Sequence, residues 1–189
     1  MGKIFEALDE GLCEFIRAQH VFFVATAPLA ADGHVNVSPK GHDSLRILSP
    51  TRLAYLDLVG SGVETIAHLR ENGRVCLMWL AFEGKPRILR VHGRGRPVFP
   101  HEIEFEELAG HFPSYPNQRS ILVIEALRIA DSCGYSVPLM DFVSDRDQLS
   151  KWADRKGPDG IRAYLEEKNL QSLDGLPGLD SCAIVSDPE

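Results

Sequence analysis

The chain has 189 residues, a hydrophobic fraction of 44% and a formal net charge of −7. That length holds one domain with a buried core, and the acidic balance argues against a nucleic-acid or anionic-membrane surface, which needs clustered Lys and Arg. Cys13, Cys76, Cys133 and Cys182 lie far apart with no C-x-x-C pair, which gives no zinc-site signal, and the acidic amphipathic start MGKIFEALDE is not expected to be a signal peptide.

No apolar run has the length of a membrane span, so a cytoplasmic protein is expected. Ile4, Leu8, Leu12, Phe15 and Ile16 fall at helical spacing and predict an opening helix over 4–18. The β-rich run HVFFVATAPLA follows, with Ala-Asp-Gly at 31–33 as a hairpin turn and His34 to Ser38 as the returning strand, ending at Pro39-Lys40-Gly41. Arg46 to Leu48 and Leu53 to Leu58 supply further strands around Ser-Pro at 49–50. A short helix over about 63–72 closes at Gly73. Arg74 to Phe82 and Arg87 to Phe99 are two more strands, turned by Glu83-Gly84-Lys85-Pro86.

Residues 101–112 predict a helix with Ile103, Phe105, Leu108 and Phe112 on its buried side, and Ser120 to Ile129 is the final strand. Beyond it, residues 145–169 show helical spacing interrupted at Gly157-Pro158, and NLQSLDGLPGL reads as an extended arm, with the last ten residues expected to be disordered. Short turns and the lack of long crossover helices predict an antiparallel meander or Greek key closed into a barrel, not a doubly wound sheet.

The chemistry centres on Gly60-Ser61-Gly62, between a strand and a helix. A helix N-terminus offers unpaired N–H groups and the positive dipole end, and flanking glycines let the backbone approach an anion. The same residues fit an S-x-x-E capping box, Ser61-Gly62-Val63-Glu64, which satisfies those groups without a ligand. The Arg87, Arg90, Arg94 and Arg96 cluster fits a small anion or, more commonly, a solvated strand face. His34, His42, His68 and His92 match no metal spacing, so no metal site is predicted, and His68 reads as a packing or capping residue.

Three stretches in order carry a resemblance. They are Val35-Asn36-Val37-Ser38-Pro39-Lys40-Gly41, then Asp57 to Gly62 with Glu64 to Val75, then Pro86 to Gly93. Together they resemble the FMN-binding split-barrel family related to pyridoxamine 5'-phosphate oxidase, over roughly residues 15–130, while Ser132 to Phe142 and Asp174-Gly175-Leu176-Pro177 resemble one subgroup of that family. The resemblance implies a mainly β fold with α additions: a six-stranded antiparallel split β-barrel of Greek-key order, with peripheral helices. It implies a barrel domain at 1–130 and, at 131–189, a helical C-terminal extension packed on the barrel or on a partner subunit. A homodimer with FMN in a groove between subunits and a small-molecule substrate follows from it.

Carried over, Ser38, Pro39 and Lys40 line the flavin, and Asp57 precedes the phosphate turn formed by Ser61, Gly62, Glu64 and Thr65. Arg87 to Arg90 lie on a strand beneath the cofactor near the dimer interface, and Tyr135 sits on a loop able to reach the flavin. The oxidase's Arg-Lys pair is replaced by Glu64 and Thr65, so phosphate must rest on backbone N–H groups, the Ser61 and Thr65 hydroxyls and a cation from elsewhere. The basic C-terminal signature of the true oxidase is absent from SCAIVSDPE, so vitamin B6 oxidation is not predicted. A flavin-dependent oxidoreductase is the leading reading. The alternatives are a flavin-, deazaflavin- or haem-binding module without turnover, and a structural homodimer that has lost its ligand.

Overall fold

The computed structural model describes residues 2–184. Ile4–Phe5 (β1) precedes a helix, Glu10–Arg17 (α1), which starts where the Asp9 carboxylate accepts from the Leu12 N–H at 2.8 Å. That cap makes the opening helix shorter than expected. Ile4 and Phe5 instead pair with Ala130 and Ile129 as an edge strand, and Ile4 is exposed.

Seven further strands follow: Phe22–Thr26 (β2), Asn36–Lys40 (β3), Leu45–Ser49 (β4), Arg52–Leu58 (β5), Arg74–Leu80 (β6), Ile88–Val98 (β7) and Gln118–Ser132 (β8). They form one antiparallel sheet of order β3-β2-β6-β7-β8-β5-β4, with β1 beside β8. The mainly β class and barrel-type topology are as expected, with eight strands rather than six. β8 is the spine: its 15 residues pair with β5 in their first half and with β7 from Ile121 to Ser132.

The chain leaves β5, passes through the helix Glu64–Asn72 (α2) and re-enters the sheet at β6. Gly73 ends α2 at φ 70°, a left-handed position that favours glycine. Thr65 to Leu69 are all buried, so α2 plugs the barrel rather than lying on it. Its Ile66 and Leu69 join Val24, Tyr55, Leu77, Trp79 and Leu122 in the main core.

β5 is buried on both faces. Leu53 and Tyr55 face the main core, whereas Ala54 and Leu56 pack under the helix Ile103–Ala109 (α3) with Phe105, Leu108 and Phe112. Ile103, expected on that buried side, is exposed, because it opens the helix about 200° around the axis from Phe105.

The extension carries Gln148–Lys168 (α4), broken at Gly157, whose φ of 64° and ψ of 173° leave two helices in sequence as Gly157-Pro158 predicted. Ala153, Ile161, Leu165 and Leu179 belong to the main core, so among the described residues the extension packs into that core rather than one of its own. A short helix, Ser181–Ile184 (α5), occupies part of the stretch expected to be disordered; residues 185–189 of that stretch lie outside the described residues. No described helix is long and apolar enough to cross a membrane.

Candidate functional site

The site is assembled where β3 and β5 end and β8 begins, beneath the turn that leads into α2. Register fixes its inner face: Lys40, Ser38 and Asn36 stand opposite Phe22, Val24 and Thr26, so they point inward, while Pro39 points outward and is exposed. Between β5 and β8, Asp57 pairs with Ser120 but Leu58 pairs with Gln118. Arg119 is therefore the extra residue of a bulge, which re-aims its side chain out of the alternation.

Re-aimed, Arg119 meets Asp57, Nε to Oδ2 at 2.7 Å. The Ser120 hydroxyl donates to the same oxygen at 3.3 Å, and Lys40 Nζ lies 3.6 Å from Oδ1. Burial would raise the Asp57 carboxyl, but the Arg119 guanidinium, then Lys40, then hydrogen bonds from Arg119 and Ser120 outweigh it and hold the group below its ordinary value. Beside them Tyr55 is fully buried, and its hydroxyl is pushed well above the usual tyrosine range by burial first and by the Asp57 charge second. Two cations thus share one buried carboxylate, leaving positive charge below the turn.

The turn is held from inside. Arg119 Nη1 donates to the Gly62 carbonyl at 2.9 Å and to Asn169 Oδ1 at 2.8 Å, and Asn169 Nδ2 donates to the carbonyls of Gly60 at 3.1 Å and Ser61 at 3.4 Å. Asn169 follows α4 and has no exposed surface. The capping box, the alternative reading of these residues, does not form. The N-cap of α2 is Val63, with no side-chain cap, because the helix begins two residues too late for Ser61 to cap it. Glu64 turns to the tail instead: its Oε1 accepts from the Leu173 N–H at 3.2 Å, and its Oε2 lies against Gly62.

Apart from the outward-facing Pro39, the sequence-derived residues fall into two groups. Ser38, Lys40, Asp57, Ser61, Gly62, Glu64 and Thr65 gather around the turn. Ser61 and Gly62 are exposed, whereas Thr65 is buried and its hydroxyl accepts from Asn36 Nδ2 at 3.0 Å. Arg87, Arg90 and Tyr135 lie apart from these. Arg87 pairs with Asp131 at 2.9 Å and sits over Phe5 and Phe15, Arg90 donates to the Ser132 hydroxyl at 3.2 Å, and Tyr135 is exposed. Arg87 and Tyr135 line a cavity of about 660 Å³. His68 is a packing residue as read from sequence: it is fully buried, with Nδ1 hydrogen-bonded to Thr26 Oγ1 at 3.0 Å.

Arg119 and Asn169 were not anticipated. The signal for Arg119 was a lone arginine two residues before the apolar run ILVI, at the point where β8 loses its alternation. For Asn169 no local signal exists, since the partners of its side-chain amide lie 50 to 109 residues away.

An FMN phosphate and the polar edge of its ring fit this donor set. The positive charge under the turn suits the phosphate, and the buried Ser38 Oγ and Asp57 Oδ1 have no hydrogen-bond partner among the described residues.

Comparison with known proteins agrees with this architecture. The model of the family described as Pyridoxamine 5'-phosphate oxidase matches residues 8–133. An Aspergillus flavus protein, "Pyridoxamine 5'-phosphate oxidase family protein ustO", is 36% identical over 201 residues, covering 96% of this chain and 79% of the relative. A solved structure from Lactobacillus delbrueckii, assigned as a pyridoxamine 5'-phosphate oxidase, is 19% identical with a TM-score of 0.52, covering 67% of this chain and 98% of that one. HupZ from Group A Streptococcus is 20% identical with a TM-score of 0.51, covering 65% and 91%. At such identities these two structures are alike in fold.

Proposed function

The chain belongs to the pyridoxamine 5'-phosphate oxidase family, and we propose that it is an FMN-binding flavoprotein acting as a flavin-dependent oxidoreductase on a small molecule. The observation that carries this reading is the pair of cations, Lys40 and Arg119, sharing the single carboxylate of Asp57 beneath a glycine turn at a helix N-terminus. Arg119 supplies the cation that Glu64 and Thr65 do not.

In this reading the turn and α2 hold the phosphate, while Ser38 and Lys40 meet the polar edge of the ring. FMN, when bound, supplies the hydride and electron chemistry, and the protein orients and tunes it. Asp57 stays ionised and locked, so it fixes Lys40 and Arg119 rather than moving a proton. Arg87, Arg90 and Tyr135 stand apart from the turn in one chain, which favours a homodimer whose groove brings them to the cofactor from the second copy.

The locked Asp57 also favours a second reading, binding without turnover. Titration of the purified protein with FMN, deazaflavin and haem tests both, since a bound cofactor raises the melting temperature by mass action. FMN is expected to give a bound flavin spectrum that bleaches when a nicotinamide donor is added. A bound flavin that no donor reduces supports binding alone, and protein that takes up no flavin sinks the proposal.

A further inference from the structure

The geometry points to Asn169, in the C-terminal extension, as the positioning residue that gives the turn its preference for a phosphate monoester; this inference rests on the FMN reading. The carbonyls of Gly60, Ser61 and Gly62 all point inward, the first two toward Asn169 Nδ2 and the third toward Arg119 Nη1. Arg119 is itself bonded to Asn169 Oδ1 at 2.8 Å, so one buried amide organises all three carbonyls.

In a planar trans peptide the N–H points opposite to the preceding carbonyl. Three carbonyls turned inward therefore turn the N–H groups of Ser61, Gly62 and Val63 outward. None of the three finds an acceptor among the described residues, and Ser61 and Gly62 are exposed. Successive outward N–H groups make a concave anion receptor, here above the positive charge of Lys40 and Arg119. Without Asn169 no other described residue holds the Gly60 and Ser61 peptides in that orientation, and Arg119 loses one of its anchors.

The surroundings support the same assignment. Gly178 packs against the Asn169 backbone and Val63 so closely that an added Cβ would lie 2.4 Å from the Asn169 carbonyl oxygen. Leu179 N–H donates to that carbonyl at 2.8 Å. The tail thus clamps Asn169 from one side while its amide clamps the turn from the other.

The test compares FMN with riboflavin, which lacks the phosphate, and with riboflavin plus inorganic phosphate, using quenching of flavin fluorescence on the full chain. Wild type is expected to prefer FMN over riboflavin by tenfold or more, on the order of one strong charge-assisted contact. Asn169→Ala is expected to cut that ratio by about tenfold with riboflavin affinity nearly unchanged. Asn169→Asp keeps an acceptor for Arg119 and cannot donate to the two carbonyls. It should lose the preference too, with a lowered melting temperature, because an oxygen then faces the two carbonyls in place of a donor. Inorganic phosphate should tighten riboflavin binding in wild type only.

Both variants keeping the wild-type ratio, while wild type prefers FMN, overturns the inference alone. Equal weakening of FMN and riboflavin also overturns it, because that is what a merely structural residue would do. A wild type that binds neither flavin overturns the FMN reading and this inference with it.

Discussion

Asp57 and Arg119 face each other from adjacent strands with 2.7 Å between Oδ2 and Nε, at 1% and 5% exposure respectively. A buried pair of this kind costs more to break than it gains by forming, because the survivor stays desolvated. Asp57→Asn leaves Arg119 and Lys40 facing each other with no counter-charge. It is expected to lower stability by about 3–5 kcal/mol in urea denaturation. Arg119→Met in the same background should recover part of that loss; no recovery would show that the cations are not the cause.

Acid should act through the same carboxyl. Its folded-state value is lowered, so its contribution is complete above the ordinary carboxylate value, roughly pH 4, and is lost as pH falls through the folded value below it. The stability gap between wild type and Asp57→Asn is therefore expected to be constant from neutrality to about pH 5 and to narrow below about pH 4. Equilibrium denaturation across that range is the measurement, and a gap independent of pH down to the acid transition would contradict it.

Glu64 places a carboxylate beside the turn, with Oε2 against Gly62. Glu64→Gln removes the like charge while leaving an acceptor for the Leu173 N–H. FMN affinity is expected to rise about two- to fivefold, the scale of one charge at a helix N-terminus, and riboflavin affinity to stay the same. Titrations at low and high salt check it, since the gain should shrink as salt screens the charge.

Gly178 and Gly60 separate close approach from simple chain effects. A Cβ at Gly178 would meet the Asn169 carbonyl at 2.4 Å and both Val63 methyls at 2.8 Å, whereas one at Gly60 meets nothing within 4 Å. Gly178→Ala is expected to cost about 1–3 kcal/mol, and Gly60→Ala to stay within roughly 0.5 kcal/mol of wild type. Thermal melts of the two variants give the comparison directly.

The sequence was informative wherever its signal was local. The C-cap at Gly73, the break at Gly157-Pro158 and the buried side of α3 at Phe105, Leu108 and Phe112 each depend on neighbours a few residues away. Ile4 and Phe5 misled because helical spacing before a cap is indistinguishable from an edge strand whose partner, β8, lies more than a hundred residues later. The turn was legible as a glycine turn before a helix, and the need for a cation from elsewhere followed from Glu64 and Thr65. Which cation was not legible, since the bulge that swings Arg119 inward exists only in the pairing of β5 with β8. The capping box was a plausible pattern that lost to tertiary partners, Asn169 and Leu173.

The lock on the turn has a consequence for the order of events in synthesis. Gly60 and Asn169 are 109 positions apart, and Glu64 and Leu173 are separated by the same distance. Synthesis proceeds at about 5–20 residues per second, so the turn leaves the ribosome several seconds before the segment that organises it. β8 emerges partway through that interval, and until Asn169 follows, Arg119 can orient the Gly62 carbonyl while those of Gly60 and Ser61 wait for Asn169. On the FMN reading, the phosphate-holding form of the turn is thus a late acquisition of the maturing chain, separated in time from the collapse of the core on which it sits.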